Sequence, residues 1–234
     1  MDNLNNILFL ATAFLALFAI SEFIYRTFKV EAEYTRKFVH MGTGILSLLF
    51  PVLLNSHWEV LILCTTFSVI LMASFKLKFL QSVNAIGRKS FGSLSYPIAV
   101  YFAFLTYTFV DARGVSFLHP LLFFYLPILI MALCDPVAAL VGKKYPIKTF
   151  KIGNGRKSIG GSFSFLLVAV LLAGFLMALF QKDFSNNLLF HTALLTACAT
   201  MIVEAISPHG LDNITIPTTA IVSLLLINFY LFIQ

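Results

Sequence analysis

The chain has 234 residues, of which 59% are hydrophobic and 11% charged, with a net charge of +6 and a mean hydropathy of +0.93. Soluble globular domains carry about a quarter charged residues, so this composition excludes an ordinary soluble enzyme and predicts an integral membrane protein with no nucleic-acid partner. Short polar stretches separate apolar runs of roughly the 17 to 25 residues that a membrane-spanning helix needs. We therefore expect a single integral membrane domain over residues 1–234, without a separate soluble domain.

The apolar runs predict an all-α fold, a polytopic bundle of about eight spans. The first run is too long for the apolar core of a signal peptide and has no clear cleavage site after it, so it is counted as a span. The predicted spans cover residues 6–25, 37–54, 58–76, 92–110, 118–142, 160–180, 187–206 and 214–233.

The basic residues are segregated between alternate polar segments. All of the 16 Lys and Arg residues except Arg113 and Lys182 lie in the segments that follow spans one, three and five or at the edges of those segments. Lys and Arg accumulate on the cytoplasmic side of membrane proteins. We therefore expect a multi-pass protein of the cell membrane whose basic segments face the cytoplasm and whose two termini both face outside.

The fifth predicted span carries a carboxylate, Asp135, within an apolar run. An ionisable residue inside a span is costly and is a functional candidate by default. Asp135 and Pro136 are typical of a helix N-cap followed by a first-turn proline, so we expect the helix to break at Asp135 and to restart as a half-helix ending near Gly142. A broken helix is tolerated where it is buried in protein or lines a polar cavity. The alternative is that Asp135 serves only as a cap.

The first two basic segments offer groups for binding phosphate. On a helix, Arg36, His40 and Thr43 lie close to one face, so a cation, an imidazole and a hydroxyl point the same way. The alternative is that Arg36 and Lys37 only anchor the helix at the membrane surface. The segment after span three adds Arg88 beside glycine and serine residues, a weak signal when taken alone.

The third basic segment contains GNGRKSIGGS at residues 153–162. It fails the P-loop pattern, because Arg156 stands where the second glycine belongs and no strand is predicted before it. Glycine backbone and the N-terminus of span six, capped by Ser158 or Ser162, still favour anions; a flexible basic linker is the alternative. The candidate nucleotide-binding residues are Arg36, Lys37, Arg88, Lys143, Arg156, Lys157, Ser158, Gly161 and Ser162.

Acidic and amide side chains near the last two spans are candidates for metal binding. Glu204 lies near the end of span seven, and Asp212 and Asn213 follow in a segment without Lys or Arg. Carboxylate and amide oxygens suit Mg²⁺, whereas an Asx turn that caps the last span is the alternative. The whole set of cations and carboxylates suits phosphoryl transfer, in which catalysis is largely positioning and charge neutralisation.

Five motifs in order resemble the polyprenol, phytol, dolichol and diacylglycerol kinase family. These members are membrane enzymes, several of which use CTP, and they are related to phosphatidate cytidylyltransferases. The resemblance implies a Mg²⁺-dependent kinase that transfers the γ-phosphate of CTP or another nucleoside triphosphate to an isoprenoid alcohol or diacylglycerol at the cytoplasmic face. The motifs are RKFVHMGTG (36–44), GSxxYP (92–97), DPVAALVGKKYP (135–146), KSIGGS (157–162) and ExxSxxGxDNxxxP (204–217).

The resemblance also implies roles for single residues. Asp135 would bind Mg²⁺ or orient the acceptor hydroxyl. Many members carry an acidic residue where this chain has Gly160, so the metal arrangement is expected to differ if that carboxylate is a ligand. The implied catalytic residues are Asp135, His40 and Lys157, the triphosphate would be held by Lys157, Ser158, Arg36 and Lys37, and the implied metal ligands are Asp135, Asp212, Asn213 and Glu204.

Two other functions stay open at this point. A phosphatidate cytidylyltransferase would make a CDP-lipid and release pyrophosphate, but the second carboxylate of its longer signature is missing after Asp135. A transporter also uses a broken helix with a carboxylate in the membrane. The concentration of basic and glycine-rich motifs on one side favours an enzyme, because a transporter needs access from both sides.

Overall fold

A computed structural model describes residues 2–85, 92–114, 116–152, 155–182, 184–208 and 210–233. These residues are almost entirely helical, which confirms the predicted all-α class. The helices are α1 (Asp2–Phe28), α2 (Ala32–Ser47), α3 (Phe50–Leu53), α4 (His57–Leu77), α5 (Gln81–Asn84), α6 (Gly92–Arg113), α7 (Leu122–Leu129), α8 (Asp135–Lys144), α9 (Ile159–Phe180), α10 (Asn186–Ile206) and α11 (Asp212–Ile233).

Six helical stretches in the described ranges are long and apolar enough to cross a membrane: α1, α4, the stretch Leu122–Lys144, α9, α10 and α11. Large apolar side chains such as Phe175 and Phe229 are mostly exposed on their outer faces, as expected for surfaces that contact lipid. The chain is therefore a multi-pass membrane protein. The other two predicted spans correspond to α2 with α3 and to α6, which lie outside this set.

The stretch Leu122–Lys144 is the central helix of the bundle. In its most apolar 18-residue part, 61% of the residues are buried, against 22% to 33% in the corresponding parts of the other five stretches. Helices α2, α6, α9 and α11 all pack against it. On its α7 part, Phe124 contacts the rings of Phe50 and Phe104 at centroid distances of 6.4 and 5.6 Å. The functional candidate Asp135 therefore lies on the most enclosed helix of the protein.

The central helix changes geometry where the sequence predicted a break. Residues Ile130–Cys134 form a π-helical turn, and α8 begins at Asp135, whose own backbone is helical with φ −62° and ψ −48°. Asp135 is thus not an N-cap, and one continuous helix replaces the predicted break. Pro136 supplies the reason: it has no N–H to donate and its ring crowds the carbonyl four residues earlier, and the wider π turn accommodates it.

The basic segment after α8 forms a short hairpin. Strand β1 (Thr149–Ile152) pairs antiparallel with β2 (Gly155–Ser158), with Phe150 opposite Lys157. The prediction that no strand precedes the next helix is wrong. Four-residue strands rich in Lys and Arg show too little alternation of apolar and polar residues to be recognised from sequence. Strand β2 runs directly into α9.

Polar contacts mark the two ends of the bundle. At one end, Asn3 donates to Glu59 at 3.0 Å and accepts from Asn55 at 2.7 Å. At the other end, Glu22 on α1 accepts from the backbone N–H of Ser82 at 2.9 Å. We call this second end the basic end, because described residues from the three segments predicted to be cytoplasmic contact one another there.

Candidate active site at the basic end

A cavity of about 630 Å³, here called the polar cavity, lies at the basic end. It is lined by residues of α2, α8, β2, α9, α10 and α11, which are distant in sequence. Arg88 lies outside the described residues. The predicted site residues that line the polar cavity are Arg36, Lys37, His40, Asp135, Lys143, Arg156, Lys157, Ser158, Gly161, Ser162, Glu204, Asp212 and Asn213.

A buried ion pair joins α2 to α8. Lys37 Nζ lies 2.7 Å from Asp135 Oδ2, and both side chains are about nine-tenths buried. Removing one partner of such a pair leaves an uncompensated charge in a poorly solvated place, at a cost of about 3–5 kcal/mol. Lys37 therefore holds the Asp135 carboxylate in position and balances its charge. The contact occupies only one of the two carboxylate oxygens.

His40 connects α2 to the π-helical turn. Its Nε2 lies 2.9 Å from the carbonyl oxygen of Met131. A carbonyl can only accept a hydrogen bond, so this contact places a proton on Nε2. The Tyr96 hydroxyl donates to the His40 carbonyl at 3.1 Å, and the two rings meet edge to face at 4.9 Å. His40 thus fixes the turn immediately before Asp135.

A second buried ion pair joins β2 to α10. Lys157 Nζ lies 2.6 Å from Glu204 Oε1 and also contacts the Glu204 carbonyl oxygen. In the part of the chain that the structure describes, Glu204 Oε2, Arg36 Nε and Ser162 Oγ are buried without a hydrogen-bond partner. Buried polar atoms are nearly always hydrogen-bonded. The three residues that carry these atoms line the polar cavity and belong to three helices, α10, α2 and α9, an arrangement suited to a polar or charged ligand.

The N-terminus of α9 approaches α8 very closely. Ser158 Oγ accepts from the Gly161 N–H at 3.0 Å and caps the helix. A Cβ at Gly161 would lie 2.8 Å from the Ala138 carbonyl oxygen, and one at Gly142 would lie 2.8 Å from Ser158 Oγ. A side chain at Gly161 would therefore clash with the α8 backbone, and one at Gly142 would displace the capping Ser158 hydroxyl. The close packing of α8 and α9 brings the start of α9, which favours anions, to the wall of the polar cavity.

Asp212 and Asn213 begin α11 without the Asx turn that was the alternative expectation, because the Ile214 N–H donates to a backbone carbonyl oxygen instead. Asp212 Oδ1 accepts from the N–H groups of Gly210 and Asn213 at 3.2 and 3.1 Å. The Asn213 amide donates to the Gly92 carbonyl oxygen at 3.0 Å. Both residues also line the polar cavity, so these backbone contacts leave them in reach of a ligand.

The donor set suits a metal that arrives with phosphate. Among the described residues, no group of three or more His, Cys, Asp or Glu side chains is arranged to hold a metal ion. Mg²⁺ is commonly bound by one or two carboxylates together with substrate phosphates rather than by an all-protein cage. The carboxylates of Asp212 and Glu204, with the amide oxygen of Asn213, fit that mode of binding.

The rim of the polar cavity is more exposed and was only partly predicted. Lys143 lies 3.1 Å from Glu31 in an exposed ion pair, a kind that contributes little to stability. Arg156 is exposed on β2. Sequence reasoning missed Glu33, which lines the polar cavity and lies 2.9 Å from Arg36. The only signal for Glu33 was its spacing of three residues from Arg36 on a helix.

Comparison with known proteins shows a likeness to a lipid-alcohol kinase. The chain is 29% identical over 207 residues to the phytol kinase of Synechocystis sp., in an alignment that covers 88% of this chain and 84% of that protein. No protein-family model matches the chain. No solved structure matches it either. The aligned region is most of both chains, so the likeness extends well beyond any single motif.

Proposed function

We propose, from the likeness to a phytol kinase over most of both chains, that this chain belongs to the polyprenol and phytol kinase family and is a membrane lipid-alcohol kinase. As a kinase, the protein would transfer the γ-phosphate of CTP, or of another nucleoside triphosphate, to an isoprenoid alcohol or to diacylglycerol. One observation carries the proposal: cations and carboxylates from distant segments line a single cavity at the basic end.

The nucleotide triphosphate would bind at the outer part of the polar cavity. Lys143 and Arg156 are exposed at its rim and Lys157 lies further in. Together with the N-terminus of α9 they supply positive charge where the β- and γ-phosphates would lie. Preorganised positive charge around a transferring phosphoryl group is the largest part of catalysis in this reaction class.

The acceptor alcohol would bind beside Asp135. Its hydroxyl oxygen forms a bond to the γ-phosphorus, the bond from that phosphorus to the β–γ bridging oxygen breaks, and the nucleoside diphosphate leaves. The hydroxyl proton passes to the Asp135 carboxylate, as it does to the catalytic aspartate of protein kinases. Lys37 holds Asp135 from one side, and His40 holds the preceding turn through Met131.

Mg²⁺ would be held by Asp212, Asn213 and Glu204 together with phosphate oxygens. When bound, the ion neutralises charge on the transferring group. Glu204 supports this assignment because its Oε2 is buried and, within the described ranges, has no hydrogen-bond partner. Lys157 already balances the other oxygen of that carboxylate.

The basic end would face the cytoplasm, with both termini outside. The segregation of Lys and Arg supports this orientation, as does the need for a nucleotide. A cysteine-labelling experiment on intact cells, with single cysteines introduced near Asn55 and near Lys78, would test it. Labelling of the first site by an impermeant reagent and protection of the second is expected, and the reverse pattern would contradict the proposed orientation.

The function is tested by incubating the detergent-purified protein with CTP and geranylgeraniol. Label from the γ-phosphate should appear in the lipid product. Label from the α-phosphate in the lipid would instead indicate a cytidylyltransferase. Nucleotide consumption that depends on the alcohol and needs no membrane gradient would separate a kinase from a transporter.

A further inference from the structure

A second, narrower cavity of about 110 Å³ adjoins the polar cavity. Arg36, His40 and Asn213 line both of them. These three residues therefore form the boundary between the polar space and a second space that runs into the bundle. We call this second space the apolar groove.

The apolar groove is lined mostly by aromatic and aliphatic side chains. Beyond the boundary residues, the two hydroxyl groups on its α2 wall are already satisfied, because Thr43 donates to the Val39 carbonyl at 2.8 Å and Ser47 donates to the Thr43 carbonyl at 2.7 Å. The groove therefore presents apolar surface to its contents. Apolar lining residues from α1, α3, α4 and α6 include Phe14, Phe18, Phe50, Leu63, Phe67, Leu71, Phe75 and Val100.

The apolar groove has an open end and a closed end. Phe75 at the basic end is 66% exposed, whereas Phe50 at the deep end is 2% exposed. Phe14 closes the deep end by contacting the rings of Phe50 and Phe67 at centroid distances of 6.0 and 5.1 Å. Along α2, from Arg36 to Ser47, the helical rise gives a depth of about 16 Å. This is close to half of the roughly 30 Å hydrocarbon core of a bilayer.

We infer that the apolar groove binds the hydrocarbon tail of the acceptor alcohol, with the hydroxyl at the boundary formed by Arg36, His40 and Asn213. The inference rests on the proposed kinase function. The occupant follows from continuity with the polar cavity: a molecule that fills both spaces must have a polar head and a long apolar tail. A volume of about 110 Å³ spread along a depth of about 16 Å leaves room for one chain across the groove, so a single-chain isoprenoid alcohol fits better than diacylglycerol with its two chains.

The deep position of Ser47 provides a selective test. Ser47→Leu adds apolar volume inside the groove, where Ser47 is buried, and should shorten the space for the tail. We expect kcat/KM for geranylgeraniol to fall about tenfold or more relative to that for geraniol, since a few methylenes in an apolar pocket discriminate by about that factor. Phe50→Leu, which enlarges the closed end, should shift the preference toward longer alcohols.

Ser68→Leu is the matched control. Ser68 on α4 donates to the Cys64 carbonyl four residues earlier at 2.8 Å, as Ser47 does to Thr43 on α2, but it does not line the groove. This control should leave the ratio of the two alcohols unchanged. Size-exclusion chromatography in detergent checks that each variant is folded.

These assays distinguish a failure of the groove assignment from a failure of the proposed kinase function. If the wild-type protein phosphorylates neither of the two alcohols nor dioleoylglycerol, the proposed function is overturned and the groove assignment with it. If the wild-type protein is active but both Ser47→Leu and Phe50→Leu leave the chain-length preference unchanged, the groove assignment alone is overturned. A wild-type preference for dioleoylglycerol over geranylgeraniol would overturn the single-chain inference.

Discussion

Replacing Asp135 by Asn tests the buried ion pair and the proposed chemistry together. The substitution keeps the shape of the side chain but removes its charge, so the ammonium group of Lys37, 2.7 Å away in the native protein, is left buried without a counter-charge. Because both side chains are about nine-tenths buried, we expect a loss of about 3–5 kcal/mol in unfolding free energy. Turnover should fall by about 10²–10⁴-fold, the range for removing a positioned acid–base group.

The double variant Lys37→Met/Asp135→Asn separates stability from catalysis. It contains neither charge of the Lys37–Asp135 pair, so it should recover most of the stability that either single variant loses. It should not recover activity, because the proton acceptor is still missing. The measurement is the loss of helical circular dichroism during SDS titration in mixed micelles, with activity assayed on the same preparations. The reasoning is refuted if Asp135→Asn is as stable as the wild type, or if the double variant phosphorylates the alcohol at a wild-type rate.

Three further predictions concern the walls and rim of the polar cavity. Gly161→Ala brings a methyl group within 2.8 Å of the Ala138 carbonyl oxygen, so it should destabilise the protein by about 1–3 kcal/mol through overpacking and lower activity. The control is Gly174→Ala on the same helix. Nothing lies within 4 Å of that added methyl group, so this substitution should be neutral or slightly stabilising. The same SDS titration checks this pair, and equal effects of the two substitutions would contradict it. Glu204→Gln should lower kcat and raise the Mg²⁺ concentration needed for half-maximal rate, measured by a magnesium titration; an unchanged magnesium dependence would remove Glu204 from the metal site. Lys143→Gln should raise KM for the nucleotide with little change in stability, because its ion pair with Glu31 is exposed; an unchanged KM in steady-state assays would exclude Lys143 from nucleotide binding.

Most of the residues that line the candidate site could be predicted from sequence. The pairing of its cations with its carboxylates could not. A carboxylate in an apolar run and the one-sided distribution of Lys and Arg are local signals, and both led to the basic end. Which cation meets which carboxylate depends on packing: Lys37 and Asp135 are 98 residues apart, and Lys157 and Glu204 are 47 apart. No periodicity or spacing relates such partners.

The geometry of the central helix was also beyond a sequence rule. Asp135 and Pro136 satisfy the pattern of a helix start, but the surrounding helices keep the chain helical through this point and the irregularity becomes a π turn. The same limit applies to the apolar groove. Phe67, which lines it, and Phe75 at its mouth are the same residue type as the lipid-facing phenylalanines, so only the folded structure distinguishes a tail-binding wall from an outer surface.

The central claim is that phosphoryl transfer to a lipid alcohol takes place at Asp135. The most direct measurement supplies CTP labelled on the γ-phosphate, together with geranylgeraniol, to the purified wild-type protein and to Asp135→Asn. We expect labelled lipid phosphate from the wild type and almost none from the variant. Equal labelling by both proteins, or lipid labelled only from the α-phosphate, would contradict the account.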